Sequence, residues 1–334
     1  MTGARIAVCV ACVLQADLAR AQSITTEAAV TSGVSSDNET AVLATQLRAF
    51  GEVGPHIRYY AEAAWATSSD ADSGAFGAAY PYGNRLQIIE AYGERMFRPL
   101  GKLLDVRAGR FRPPFGIYNA SDQAYVGFLR APLIRYDSNF ALSNNFLEQG
   151  AAVVVGVPRL TFETSVGRPG DVGATVRQPG LDTVVRAQSS AGPFIVGLSH
   201  IRTLPDLTGS FIHGRMEFTG LDLRFMRSGM QLRGEWITGQ PFDGTTTTGW
   251  YADAIVHRVA MGPVTAVARI ERLDYDTIAP FDLHRRRQTL GARVRIRDGL
   301  SAEVNLMHQT GQSIEYGPVA IDIGVTYSVR MRPH

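Results

Sequence analysis

The sequence predicts an all-β protein: a 16-stranded antiparallel transmembrane β-barrel with short periplasmic turns and a long third external loop. Three observations predict it. Apolar and polar residues alternate in long runs, the number of runs is even, and the connections between them alternate between short and long. The 334 residues are 45% hydrophobic and 19% charged, with a mean hydropathy of -0.04, a balance that excludes both a helical membrane protein and a disordered chain. Glycine occurs 34 times and proline 16 times without a sustained 3.6-residue period, which argues against Rossmann and helical folds. With 33 basic and 31 acidic residues the net charge is +2, so bulk electrostatics exclude a strongly basic nucleic-acid binder. Lys102 is the sole lysine, leaving guanidinium as almost the entire positive charge.

The first residues set the compartment. Arg5 precedes an apolar run from Ile6 to Leu14, and Ala19-Arg20-Ala21 places small residues where a signal peptidase reads. Residues 1–21 are therefore expected to be a cleaved signal peptide and residues 22–334 the barrel. The run is too short to cross a bilayer as a helix, which takes about 20 residues. Both cysteines, Cys9 and Cys12, fall inside this leader, and Cys9-Val10-Ala11 fits a lipobox at Cys12 poorly. The exported chain then has no disulfide or thiolate metal site, and no cofactor is implied.

Taken in order, the strands are expected to begin near Ser23, Thr40, His56, Asn84, Lys102, Glu148, Arg159, Leu181, Pro193, His213, Gly229, Thr248, Pro263, His284, Gly299 and Pro318. The alternation is clearest at the end, where Val319, Ile321, Ile323, Val325, Tyr327 and Val329 alternate with Ala320, Asp322, Gly324, Thr326, Ser328 and Arg330. Leu290, Ala292, Val294 and Ile296 stand against Thr289, Gly291, Arg293, Arg295 and Arg297 in the same way, and Leu300, Ala302, Val304 and Leu306 against Ser301, Glu303, Asn305 and Met307. Near the beginning, Ile57, Tyr59, Ala61, Ala63 and Trp65 oppose Arg58, Tyr60, Glu62 and Ala64. Short turns such as Val157 to Arg159, Ala191 to Pro193, Met261 to Pro263 and Asp298 to Gly299 follow even-numbered strands, and the longer connections follow odd-numbered ones. An outer-membrane barrel has this asymmetry, with both termini on the periplasmic side. In hydrocarbon every backbone N–H and C=O needs a partner within the protein, so the sheet must close on itself.

The apolar face is expected to meet lipid, with Phe50, Trp65, Phe97, Phe194, Trp236, Trp250, Tyr275 and Tyr327 near strand ends as interfacial girdles. The polar face would then line a lumen wide enough, at 16 strands, to hold water. Its charged and polar set includes Arg58, Glu62, Arg186, Gln188, Arg215, Glu217, Arg233, Glu235, Arg269, Glu271, Arg293, Arg295, Glu303, Asn305 and Asp322. Arginine and glutamate two residues apart on several strands suggest ion pairing along the wall, and the surplus in Arg293-Val294-Arg295-Ile296-Arg297 would favour anions. The connection from Phe111 to Leu147 is the longest, and its Tyr118, Tyr125, Phe128, Tyr136 and Phe140 argue for a folded segment. Its charges Arg112, Asp122, Arg130, Arg135 and Asp137, with Glu148 just beyond, are the candidates for a constriction. Arg186, Arg233, Arg269, Arg293 and Arg295 are the candidates for pore lining. A loop packed on the outer rim is the alternative.

Gly109-Arg110-Phe111-Arg112-Pro113-Pro114-Phe115-Gly116, following a strand and opening the long loop, resembles the Gly-Arg-Phe…Pro-Phe-Gly signature of Gram-negative outer-membrane porins similar to the phosphate-selective O and P type. Glu90-Ala91-Tyr92 resembles the strand that precedes the signature in that family. The resemblance implies a homotrimer in the cell outer membrane, conducting small hydrophilic and often anionic solutes by passive diffusion, with lipid and solute as its partners and no nucleic acid. That family's phosphate selectivity leans on lysine clusters, and with Lys102 alone phosphate is not expected.

Outer-membrane enzymes and non-conducting adhesion or scaffold barrels share such architectures, so catalysis needs its own test. The seven histidines are scattered, with no His-Glu-x-x-His and no Gly-x-Ser-x-Gly motif. Asp253 and His257 form the best titratable pair. The reading is a porin and not an enzyme.

Overall fold

A computed structural model describes residues 21–36, 41–54, 56–67, 86–117, 127–135, 147–169, 180–205, 216–241, 244–259, 262–276, 282–311 and 318–331. The expected leader up to residue 20, together with Tyr118, Asp122, Tyr125, Tyr136, Asp137, Phe140 and Arg215, lies outside the described residues.

Sixteen strands form one closed antiparallel sheet in which every strand pairs with its sequence neighbours and the last pairs with the first. They are β1 (Ala21–Ser35), β2 (Ala41–Val53), β3 (Ile57–Ala66), β4 (Gln87–Phe97), β5 (Leu103–Phe111), β6 (Glu148–Val157), β7 (Leu160–Pro169), β8 (Gly180–Ala191), β9 (Phe194–Pro205), β10 (Glu217–Arg227), β11 (Met230–Gln240), β12 (Thr246–Val256), β13 (Val264–Asp276), β14 (Leu283–Arg297), β15 (Leu300–Gly311) and β16 (Val319–Met331). The β1–β16 seam runs from Thr26 opposite Met331 to Ser35 opposite Asp322. Closure leaves no edge whose backbone groups would face lipid unpaired.

All sixteen predicted strands are present. β4 and β10 start later than expected, at Gln87 and Glu217 instead of Asn84 and His213. The length alternation breaks once, because β12 ends at Val256 and the connection to β13 takes up residues 257–263. The reason is local: His257, Arg258 and Val259 leave the ladder, with Arg258 at a left-handed φ of 55°.

Outside, the barrel carries an apolar band. Val319, Ile321, Ile323 and Val325 on β16, Val304 and Leu306 on β15, and Leu290 on β14 are all exposed, while the alternate positions Ala320, Asp322, Asn305 and Met307 are buried inside. The band has a legible edge. Trp236 and Trp250 face each other across β11 and β12, and both are exposed. Beyond them the outward positions turn polar, with a Thr238–Thr248 hydroxyl contact of 2.6 Å and an Arg272–Asp274 pair at 2.6 Å. At the end with the short turns, exposed Phe97, Phe194 and Tyr327 mark the other edge, and Phe194 packs on Phe225 with ring centroids 5.0 Å apart. Tryptophan and tyrosine prefer such boundaries because one end of the ring is apolar and the other wet.

Two expected girdle residues face inward instead. Tyr275 is buried on the lumenal face of β13 beside Leu273, and the Phe50 ring lies under the lumenal Arg330 guanidinium at 5.4 Å. Both occupy strand positions of the inward phase, which overrides their aromatic character. Glu217 is the converse case. The inward residues of β10 are Phe218, Gly220 and Asp222, so Glu217 points outward, 3.7 Å from His200.

The principal core lies inside the barrel. Phe115, Phe128, Leu133 and Ile134 of the β5–β6 connection cluster with Val184, Ile201, Phe218, Ile237, Tyr251 and Leu273 of the inner wall.

Candidate functional site

The long β5–β6 connection enters the lumen, and the Gly109 to Gly116 motif is what turns it there. A Cβ on Gly109, at φ 138°, would come within 2.3 Å of the Ala91 carbonyl oxygen, so only glycine lets β5 pass this close to β4. Phe111 is fully buried and meets Tyr92 edge-on, with centroids 6.4 Å apart at 85°. Arg112 then donates its backbone N–H to Glu90 at 3.0 Å and its guanidinium to the same carboxylate at 2.6 Å. The two segments that resemble the porin signature thus form one contact: Glu90-Ala91-Tyr92 receives Gly109, Phe111 and Arg112. Pro113 and Pro114 follow, both buried, and proline has no N–H that would need a partner there. Phe115 fits against Gly220 on β10, where a Cβ would approach its ring to 2.9 Å. Gly116, at φ 68°, allows the chain to turn onto Glu235, whose Oε1 would stand 1.8 Å from any added Cβ. The Gly116 N–H reaches Ser199 on β9 at 3.1 Å, and the Ile117 N–H reaches Glu235 on β11 at 2.6 Å.

The second described stretch, Gly127 to the 3₁₀ turn Leu133–Arg135, runs from β15, β16 and β1 back to β13 and β11. Asn305 on β15 receives the Leu129 N–H at 2.7 Å and donates to the Gly127 carbonyl at 2.7 Å. Arg130 clamps Asp322 on β16 at 2.6 and 2.8 Å and reaches the Ser35 hydroxyl on β1 at 2.7 Å. The Leu133 N–H meets Glu271 at 2.6 Å, and Arg135 meets Glu235 at 2.7 Å. The described parts of the loop are therefore anchored to β1, β9, β11, β13, β15 and β16.

Beneath it, strand register aligns the lumenal charges in rows. Arg233, Asp253 and Arg269 lie directly opposite one another across β11, β12 and β13. Glu235, Tyr251, Glu271 and Arg287 form the next row, extended to β14. Asp253 takes Arg233 at 2.9 Å and Arg269 at 2.6 Å, and Glu271 takes Arg287 at 2.7 Å. Facing positions on antiparallel strands are the closest side-chain neighbours a sheet offers, so opposite charges placed there pair directly. Arg269 also donates to the Arg130 carbonyl at 2.8 Å and sits 4.0 Å above the Phe128 ring.

The sequence candidates distribute as follows. Arg112, Arg130 and Arg135 are in the inserted loop, each buried against a wall carboxylate. Glu148 is lumenal, fully buried, and accepts from Ser165 at 2.9 Å. Arg186 faces the lumen but is buried in a two-pronged pair with Asp222 at 2.6 and 2.9 Å. Arg233 and Arg269 likewise serve the rows and do not line an open channel. Asp253 is committed to these two arginines, while His257 lies past the end of β12, so the suggested titratable pair is not a site. Of the other described histidines, His200, His284 and His308 belong to the outward face and His56 to a turn. The partners the sequence reading did not single out are Ser35, Glu90, Ser199, Asp222 and Arg287. Asp222 was missed because pairing Arg215 with Glu217 shifted the phase of β10 by one residue, which exchanges its faces; Leu221, Leu223 and Phe225 carried the correct phase.

Arg293 and Arg295 are at the end with the short turns. Two cavities lie there below the loop. One, of about 650 Å³, is roofed by Phe128 and Leu129 and lined by Glu27, Arg48, Arg293, Glu303 and Arg330. Its charges pair as Arg293–Glu303 at 3.2 Å, Arg330–Glu27 at 3.2 Å and Arg48–Glu62 at 3.5 Å.

The chain matches solved structures over its whole barrel. It is similar to Salmonella typhi OmpF, solved in complex with daunomycin, with a TM-score of 0.64 and 8% identity over 92% of this chain and 97% of that one. It is similar to the anion-selective porin from Comamonas acidovorans, with a TM-score of 0.60 and 12% identity over 92% and 99% of the two chains. The barrel shares the porin fold. Vibrio cholerae OmpT, an outer-membrane protein, matches with a TM-score of 0.62 at 8% identity over 92% of this chain and 97% of that one. No family model and no curated protein matches the sequence.

Proposed function

We propose that this protein is an outer-membrane porin, a passive diffusion channel for small hydrophilic solutes that prefers anions, with the β5–β6 loop as its constriction. The observation that carries the proposal is the combination of a closed barrel, apolar outside and charged within, with a long loop held inside the lumen by wall carboxylates. A scaffold or adhesion barrel gains nothing from a hydrogen-bonded plank across its bore, whereas a channel gains a size limit and a fixed field. Arg112, Arg130 and Arg135 position that plank, with Asp122, Asp137 and Glu148 as the remaining constriction candidates. Arg293 and Arg295 supply positive charge along the exit. In this reading residues 1–21 are removed on export, the turn end of the barrel is periplasmic, and the barrels assemble as a homotrimer. The likeness to phosphate-selective O and P type porins extends to the loop-turning motif, and no phosphate preference is proposed.

Purified barrel in a planar bilayer should give stepwise currents, with a reversal potential under a salt gradient that reports anion preference. Cation preference would overturn the selectivity and leave the channel; absence of steps would overturn the channel itself, and hydrolysis of lipid or peptide by the same preparation would replace it with an enzyme.

A further inference from the structure

The turn end of the barrel carries an arginine cluster that the loop and its anchors do not use. Arg293 and Arg295 occupy the inward face of β14, Arg297 follows across a bulge, and Arg258 joins them from the β12–β13 connection. Together they line a cavity of about 500 Å³ whose lining also includes the hydroxyl residues Thr265, Ser301 and Ser328. Arg293 is held by Glu303 at 3.2 Å. Among the described residues, no carboxylate stands within ion-pair distance of Arg258, Arg295 or Arg297. Asp298, in the β14–β15 turn, lines the adjoining cavity instead. His257 is on the same wall as Arg258, and the described residues lining the pocket include no carboxylate.

Residues two apart on one strand face are separated by about 7 Å. Like charges at that spacing repel, and Arg295 and Arg297 stand opposite Ser301 and Leu300 on β15, neither of them a carboxylate. β14 also has a bulge here: Arg295 faces Ser301 while Arg297 faces Leu300. Bulges re-aim side chains and recur beside functional sites. The irregular connection of residues 257–263, the one long turn at this end, is what brings Arg258 to the pocket.

We infer that this pocket is a binding site for a polyvalent organic anion, with Arg295, Arg297 and Arg258 each taking a separate oxyanion group. Guanidinium forks bind carboxylate or phosphate oxygens in pairs. Guanidinium groups at three separate backbone positions, Arg258 in the connection and Arg295 and Arg297 at the two sides of the bulge, suit a short molecule with charged groups at both ends and leave a single inorganic ion to satisfy only one fork. The site lies away from the loop anchors and needs the barrel alone, not its conductance.

Calorimetric titration of the detergent-solubilised full barrel with citrate at low salt tests this, with acetate and inorganic phosphate as comparators. Citrate is expected to bind at least tenfold more tightly than either, and R295Q/R297Q should weaken it at least tenfold. The single variants R258Q and R297Q give the same comparison should the double variant not fold. R272Q/R286Q, on the outward face at the other end, should leave the affinity unchanged. Phosphate binding as tight as citrate, citrate binding that survives the pocket substitutions, or no citrate binding at all would overturn the site. Because the titration does not depend on current, its outcome is separate from that of the bilayer experiment.

Discussion

Glu235→Gln tests whether buried charge holds the loop in the lumen. The Glu235 side chain is 1% exposed and gathers both ends of the inserted segment: the Ile117 N–H at 2.6 Å and Arg135 at 2.7 and 3.2 Å, with the Tyr251 hydroxyl at 2.8 Å. Arg135 is itself 2% exposed. Removing one partner of a buried ion pair costs about 3–5 kcal/mol, because the other charge stays buried without compensation. Glutamine keeps the shape and an acceptor oxygen, so the lower end, about 3 kcal/mol, is the expectation. That corresponds to roughly a hundredfold rise in the population of loop-open molecules. Trypsin cleavage after Arg130 reads this directly, since cleavage tracks the open population when reclosing is fast. The double variant Arg135→Met with Glu235→Gln removes both charges and should return the rate to within about tenfold of the parent, as charge-free replacements of buried pairs often do. A single variant cleaved within about threefold of the parent, or a double variant cleaved as fast as the single one, would refute the reasoning.

Two further outcomes follow from the geometry. Gly116→Ala places a methyl group 1.8 Å from Glu235 Oε1 at φ 68°; a left-handed non-glycine residue alone costs about 1–2 kcal/mol, so loop cleavage should accelerate at least tenfold while barrel assembly, read by heat-dependent gel mobility, is unchanged. Leu290→Arg puts a guanidinium on the middle of the apolar band, where Leu290 is 63% exposed; charges at the bilayer midplane of a barrel cost about 2–4 kcal/mol, and the folded fraction in lipid vesicles should fall accordingly, whereas the same protein without the substitution folds fully.

The fold was legible because a barrel writes its two environments into alternate residues. Val319 to Val329 on β16 and Leu290 to Ile296 on β14 needed only parity to be assigned, and their outward exposure follows. Parity failed where both faces carry mixed residues. At the start of β10, Glu217 and Phe218 invite the wrong phase because the inner wall there is apolar, packed against Phe115, so the hydrophobic residue is the inward one. Phe50 and Tyr275 failed because an aromatic ring near a strand end is read as interfacial, whereas their strand positions are of the inward phase. The loop's charges were found by their position in a long connection, but their partners were not, since register across strands is a property of pairing and cannot be read along one strand. Arg233, Asp253 and Arg269 are neighbours only because β11, β12 and β13 pair at those residues.

The scarcity of lysine has a structural reason in this lumen. Arg269 binds both oxygens of Asp253 at 2.6 and 2.9 Å, donates to the Arg130 carbonyl at 2.8 Å, and lies over the Phe128 ring at 4.0 Å. Arg130 spans two strands in the same manner, joining Asp322 on β16 to Ser35 on β1 while belonging to neither. Each of these tasks needs a planar fork whose donors point in several fixed directions at once, and which tolerates burial because it is weakly hydrated. An ammonium group is a strongly hydrated point charge on a flexible stem and would leave part of each set unmet. Many of the described arginines inside the barrel are therefore held in pairs, loop to wall at Arg112, Arg130 and Arg135 and wall to wall at Arg186 and Arg233, which narrows the positive charge left open to the lumen. Guanidinium groups without described carboxylate partners remain at Arg258, Arg295 and Arg297 on the turn end, and singly at Arg224 on β10, whose partner is the Gln188 amide oxygen.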